Sequence, residues 1–403
     1  MNRSFQTSPG FHGDTNAVKQ LLHHYASEET AALLTEEMLL GIGGGIGYGY
    51  FTFFYEKEDF INFHLGTRAS WESSGQFMTD ILGSLGCTVS AKQTKNKRTA
   101  FDQLADHTER GIPAIIAIHQ GIFDSGGIEQ KRYPFYCVAY SINQENGTAK
   151  LAYRYKDPVE VTVEQLIEGR SNLATAKLVN HALWLTEEKP LAVTPESLVA
   201  AARQGIRRCL SHAHNPRMSN FGVTALEKWE SRLSSKGKDS WIQLFAKPKH
   251  WIGALYSTFT HITVNTDGSA FRGTYARFLE MTGNQIDEPL LLESGRLFQE
   301  SAALWKQLSE TALPDENFAD LKALVLERER RILEGTLSHT GLPPYWDQIR
   351  ALKAGLIENT EWPFERLTEH YSEMRAIVLA ILKKEREALE LLERSLHSSR
   401  WEA

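Results

Sequence analysis

The sequence predicts an α/β domain through about residue 190, followed by an all-helical domain. Up to about residue 160, short amphipathic segments alternate with strand-like runs rich in aromatic and β-branched residues. The stretch Thr186 to Glu196, with Pro190 and Pro195, breaks that pattern and reads as a linker. Beyond it nearly every segment has the period of a helix. The expected limits are 1–188 for the first domain and 195–403 for the second.

In chain order, Thr15 to Tyr25 puts Ala17, Val18, Leu21 and Leu22 on one helical face, with Asp14 as the expected N-cap. Leu33 to Leu40 reads as a second short helix, closed by a glycine run. Tyr48 to Tyr55 fits a strand through its aromatic content, and Phe60 to Leu65 alternates like its hairpin partner. Trp71 to Leu85 and Thr99 to Arg110 read as helices that end at Gly86 and Gly111, where left-handed backbone favours glycine. Ala114 to His119 is continuously apolar, the pattern of a buried strand. Tyr136 to Ile142 and Thr148 to Tyr155 flank Asn143-Gln144-Glu145-Asn146-Gly147, which supplies the turn of a hairpin. Thr162 then opens another helix as a cap. In the second domain Phe318, Leu321, Val325 and Ile332 follow helical spacing. Leu367 to Leu396 is a long helix begun by Pro363, with Met374, Val378, Ile381, Leu382, Leu389, Leu392 and Leu396 along one side. That side is expected to be buried inside a bundle or in a homodimer.

Composition excludes several classes of function. With 44 basic and 50 acidic side chains and no dense basic block, the chain lacks the clustered cations that nucleic acid requires. Met1 to Gly13 has no apolar core of a signal peptide, and no apolar run reaches the ~20 residues that span a bilayer. Cys87, Cys137 and Cys209 form no spaced framework, which fits a reducing compartment. A cytoplasmic protein with no nucleic-acid or membrane partner is expected.

Four features carry candidate chemistry. Gly41-Ile-Gly-Gly-Gly-Ile-Gly-Tyr-Gly49 is dense enough to expose amides to an anion or oxyanion, or to let backbone pack closely. It is no dinucleotide fingerprint, because a helix precedes it and a strand follows. Cys209-Leu-Ser-His212-Ala-His214 invites a metal, but on a helix three ligands at that spacing do not converge, so no metal is expected. His119 ends an apolar strand, a common place for α/β sites. Asp157, before Pro158, is either an orienting carboxylate or an ordinary turn starter.

The stretches PGFHGDTNAVKQLLHHY, LTEEMLLGIGGGIGYGYFTF, FHLGTR, GIPAIIAI and YRYKDP, in that order, resemble the butirosin-biosynthesis BtrH N-terminal domain family. SNFGVTALEKWESRL and FRGTYARFLE resemble the helical domain of unknown function that accompanies it. The resemblance implies an α+β papain-like (C39 peptidase-like) N-terminal domain plus an all-α C-terminal domain. It also implies acyl transfer from an acyl carrier protein thioester to an amine, through a Cys thiolate at a helix N-terminus paired with a His and an Asp.

This sequence departs from that pattern at the chemistry. Where the family has His-Cys, it reads His12-Gly13; where the family has a His opening the later strand, it reads Tyr136-Cys137-Val138-Ala139. Asp157 remains at the third position. Two classes of function follow. One is an acyltransferase-like enzyme without a covalent Cys, with His12, Asp14 or His119 taking the proton. Asp157 would orient, and Gly13, Gly43, Gly44, Gly45, Gly47 and Tyr136 would line the substrate site. The other is a degenerate homologue that binds a ligand or scaffolds a biosynthetic assembly. Expected partners are an acyl carrier protein and a small amine, with no cofactor. Cys137 as a migrated nucleophile competes with Cys137 as a small buried hydrophobe.

Overall fold

Apolar alternation along the first half of the chain is spent on two separate sheets. The computed structural model describes residues 4–123, 134–187 and 190–402. Its strands are β1 (Ile46–Tyr55), β2 (Phe60–Arg68), β3 (Val89–Lys92), β4 (Ala114–His119), β5 (Pro134–Asn143), β6 (Thr148–Ala152), β7 (Val159–Thr162) and β8 (Ala182–Leu185). β3 to β8 form one sheet in the order β3-β8-β4-β5-β6-β7, every pairing antiparallel. β1 and β2 form a hairpin of their own. Among the described residues no strand lies beyond residue 200, and no helix is long and apolar enough to cross a membrane. The architecture is thus a mixed helix and antiparallel-sheet region followed by a helical one.

Three expectations need correction. The strands near 51 and 62 do not join the main sheet; three strands missed from the sequence, β3, β7 and β8, complete it instead. The hairpin's aromatic side chains find other partners. Phe63 lies 5.5 Å from the Trp229 ring and 5.0 Å from Trp241, and the Tyr50 hydroxyl accepts from Trp241 Nε1. Burial against helices satisfies the same alternation as burial against a sheet. Second, Leu33 to Leu40 is not one helix but the junction of Glu28–Leu33 and Glu36–Ile42. Third, the N-cap of the helix Gly13–Tyr25 is His12, not Asp14, which sits in the first turn.

The local signals elsewhere hold. The helix Lys97–Glu109 begins at an Asn96 cap, and Gly86 and Gly111 take φ of 73° and 76°, where a Cβ would be strained. Thr162 and Gln165 close a reciprocal capping box on the helix Val163–Ser171. The long helix runs Phe364–Ser395 behind Pro363 and buries Met374, Val378, Ile381, Leu382, Leu389 and Leu392.

The chain folds into two compact units, and the division is not a single cut near residue 188. The first comprises residues 1–39, 78–197 and 327–348; the second comprises 40–77, 198–326 and 349–403. The first unit holds the six-stranded sheet. One face of it presents Ile116, Ile118, Cys137, Ala139, Leu151 and Tyr153, packed with Leu104, Leu166, Ile332, Leu337 and Leu342 in one apolar core.

The second unit holds the glycine run, the β1–β2 hairpin and most of the later helices. The run is buried throughout. A Cβ at Gly43 would collide with the Phe77 ring, at Gly45 with Tyr275, and at Gly47 with the Arg68 carbonyl; at Gly44 it would press on Ala69 and Arg208 at 3.1 and 3.2 Å. Arg272, fully buried, donates through Nη2 to the Gly47 carbonyl (3.2 Å) and through Nη1 to that of Thr67 (3.0 Å). Its fork also meets Glu385, Nε to Oε1 at 2.9 Å and Nη2 to Oε2 at 3.1 Å. Glu385 accepts further from Ser301 (2.6 Å) and Trp305 (2.7 Å). Burial alone would push the Glu385 carboxyl up, but Arg272 and these donors reverse that and hold it below the usual range.

Candidate functional site

The chemistry expected from the sequence centres on the start of the helix Gly13–Tyr25, in the first unit. His12 is 5% exposed, and its Nδ1 accepts from the Thr15 amide at 3.3 Å and lies 2.6 Å from Thr15 Oγ1. Accepting from an amide suits the neutral ring with its proton on Nε2, which lies 3.9 Å from Asp14 Oδ2. The basic lone pair of His12 is therefore spent on capping the helix.

His119 repeats the arrangement. It is fully buried at the end of β4, and its Nδ1 accepts from the Gly121 amide at 2.9 Å, capping the short helix Gln120–Ile122. Both histidines advanced as proton acceptors thus direct Nδ1 at a backbone amide.

Gly13 has no side chain, and the space beside it is filled. A Cβ built there would stand 2.9 Å from Tyr153 Cε2 and Oη. The Tyr153 ring stacks on Phe123 (4.6 Å) and Phe135 (6.0 Å). Burial above all pushes its phenol far above the ordinary value, so it stays neutral.

Tyr136 pairs with Ala117, and His119 with Pro134, so both project from the sheet face opposite the Cys137 core. Tyr136 meets the His181 ring edge-on at 6.3 Å. Cys137 is fully buried, and burial drives its thiol far above the usual range, which makes it an inert core residue.

Asp157 is exposed on the bend after Tyr153. Thr7 Oγ1 donates to the Lys156 carbonyl at 2.5 Å, and the Gly10 amide donates to that of Arg154 at 3.3 Å. This seam runs antiparallel, so it carries Asp157 away from Gly13. Gly43, Gly44, Gly45 and Gly47 belong to the second unit, where their close contacts are protein atoms. The structure thus places His12, Gly13 and Asp14 beside Tyr153 within the first unit.

Two groups at this site escaped the sequence reading. Glu36, 7% exposed, accepts from the amides of Phe11 (3.2 Å) and His12 (3.4 Å) and lies 3.9 Å from Lys19 Nζ. Burial raises its carboxyl to about 7 in spite of Lys19 and the two amides. Glu36 thus clasps the segment that delivers His12 and Gly13 to the helix. The second is Arg154, buried, whose Nε donates to the Gly10 carbonyl (3.2 Å) and whose Nη2 meets Glu329 Oε2 at 2.8 Å. Both residues lie in quoted motifs, LTEEM and YRYKDP, where the Thr35-Glu36 pair and Tyr153-Arg154-Tyr155 were the available signals.

Among the described residues no three His, Cys, Asp or Glu side chains converge as metal ligands. His212 instead lies 3.0 Å from Ser70 Oγ, Cys209 is buried, and His214 is exposed.

Comparison with known proteins agrees with the motifs. Residues 12–122 match the family described as Butirosin biosynthesis protein H, N-terminal, and residues 171–333 match a Domain of unknown function (DUF4872). No curated protein matches the chain. Residues 12–122 are thus similar to the butirosin biosynthesis protein H N-terminal family, and a separate segment, 171–333, to the DUF4872 domain.

Proposed function

We propose that this chain is an acyltransferase-like protein of butirosin-type secondary metabolism that recognises an acyl thioester or amide-like ligand without forming a covalent acyl-enzyme. The observation that carries this is Gly13 against Tyr153: the family's thiol position has no side chain, and an aromatic ring occupies the adjoining space. Loss of the nucleophile removes the whole covalent route. The capped histidines support a binding role over a catalytic one, since each directs its Nδ1 at a backbone amide. An acyl carrier protein and a small amine are the partners that fit this reading.

A second reading is direct transfer. The amine nitrogen would attack the thioester carbonyl, the C–S bond would break, and the sulfur would leave with the amine's proton. It is favoured by Asp14 in the first helical turn, 3.9 Å from His12 Nε2, where a carboxylate could receive a proton.

Incubation with an acyl thioester and an amine, read by intact mass and by product formation, separates these readings. The expected result is saturable ligand binding, unchanged protein mass and no turnover. Turnover without an adduct establishes direct transfer, and an adduct mapped to Cys137 overturns the proposal.

A further inference from the structure

The Cys209–His214 stretch ends the helix Pro195–His214, whose inner side buries Leu198, Ala202, Ile206, Cys209 and Ala213. Its outer side is cationic. Arg203, Arg207, Ser211 and His214 recur at four, four and three residues, so they form one stripe along the helix. Arg207, Ser211 and His214 are exposed, and Arg203 is half-buried. Arg203 is held in place: its Nη2 donates to the Leu396 carbonyl at 3.2 Å, and its guanidinium carbon stands 5.7 Å from the Trp401 ring centre. Among the described residues the Arg207 and His214 side chains take no hydrogen bond and no ion pair.

This stripe forms one wall of an open groove of about 650 Å³. Small-molecule sites fall within about 300–1,000 Å³, so the groove has room for a ligand and not only for water. The opposite wall is Glu393, Leu396 and His397, from the end of the helix Phe364–Ser395 and the residues just after it. All of these residues belong to the second unit. Two guanidinium groups thus face the groove against a single carboxylate, Glu393, and the balance of fixed charge is positive.

The arrangement of donors selects the anion. Arginines four apart on a helix have their Cβ atoms about 5–6 Å from one another, close enough for both guanidinium groups to converge on one tetrahedral anion. A guanidinium fork presents parallel N–H donors that match phosphate oxygens. Ser211 and His214 lie next along the stripe, where a hydroxyl and an imidazole can donate to a further oxygen. Across the groove, Glu393 suits a hydroxyl donor on the organic part of the ligand, and Leu210 and Leu396 give that part an apolar surface.

We infer that this groove binds a small phosphomonoester, with Arg203 and Arg207 as the phosphate clamp. The proposal is independent of the acyl-transfer reading, whose residues at the start of the helix Gly13–Tyr25 lie in the first unit.

The test is isothermal titration of the full chain with glycerol 3-phosphate at low ionic strength, with glycerol as the control. One saturable site with Kd below about 1 mM is expected for the phosphate ester, and no binding for glycerol. Arg207→Gln should weaken that site at least about tenfold, the loss expected when a charged hydrogen-bond donor is removed. Because Arg207 is exposed and unbonded, its variant should keep the wild-type unfolding midpoint. Glu393→Gln removes the opposing charge and should tighten binding by about threefold, a gain that damage to the fold does not produce. No saturable binding by the wild type, equal binding of glycerol, full affinity in Arg207→Gln, or weaker binding in Glu393→Gln each overturns the inference.

Discussion

Replacing Arg272 by Met isolates what holds the glycine run in place. The substitution keeps much of the side-chain volume and removes five donor contacts: two to Glu385 and one each to the carbonyls of Gly47, Thr67 and Ala270. Glu385 would stay fully buried with only Ser301 and Trp305 donating to it. Breaking a buried pair by removing one partner costs about 3–5 kcal/mol, because the remaining charge is uncompensated. The orphaned carbonyls add to that. The loss should also depend on pH. In the wild type the Glu385 carboxyl lies below its unfolded value, so its contribution is complete above about pH 4.5 and fades as pH falls through the folded value. Without Arg272 burial dominates, the carboxyl rises, and the penalty shrinks on acidification from pH 7 to pH 5 as Glu385 protonates. Urea unfolding followed by tryptophan fluorescence reads both effects, since Trp305 contacts the pair. The double variant Arg272→Met with Glu385→Leu should regain at least half of the lost stability. A loss below about 1 kcal/mol in the single variant, or no recovery in the double, would refute a paired-charge anchor.

Other substitutions test the remaining geometry. Glu36 carries a raised carboxyl, so its stabilising contribution is complete below about pH 4.5 and is lost as pH rises through about 7; over that range it amounts to at most about 3 kcal/mol. Glu36→Gln should flatten the pH profile of the unfolding midpoint between pH 5 and 8, and an unchanged profile counts against the clasp. Gly13→Ala should cost about 1–3 kcal/mol through the Tyr153 ring, and Tyr153→Leu in the same chain should recover part of it in chemical denaturation. His12→Ala should lose about 1 kcal/mol as a cap while His12→Asn loses much less; equal loss of ligand binding by both would assign the imidazole a role beyond capping.

Features set by neighbours a few residues apart were legible in the sequence. The β4 strand, the turn at 143–147, the Thr162 capping box and the start of the long helix at Pro363 all answer to local rules. The placement of the hairpin was not, because a strand facing helices alternates in the same way as one facing a sheet. His12 escaped as a cap because helix starts are read from Ser, Thr, Asp and Asn. Its bond to Thr15 also hid the cost to its chemistry: spacing identifies a histidine but not which nitrogen keeps a lone pair. Glu36 reads as an ordinary acid in a first helical turn, and only burial against the Phe11 and His12 amides gives it a task. The loss of the thiol was visible as Gly13, whereas its replacement by Tyr153 bulk depends on a contact 140 positions along the chain.

The interleaving of the two units bears on how the molecule can be made. The polypeptide passes between them after residues 39, 77, 197, 326 and 348. Arg154 leaves the ribosome 175 residues before Glu329, the acid that neutralises it, and the core beneath the sheet waits as long for Ile332, Leu337 and Leu342. Folding of the first unit during synthesis therefore stalls with a cation and an apolar face uncovered until nearly the whole chain has emerged. A fragment ending at residue 188 would keep both defects, because the acid and the apolar side chains that complete this core lie beyond it.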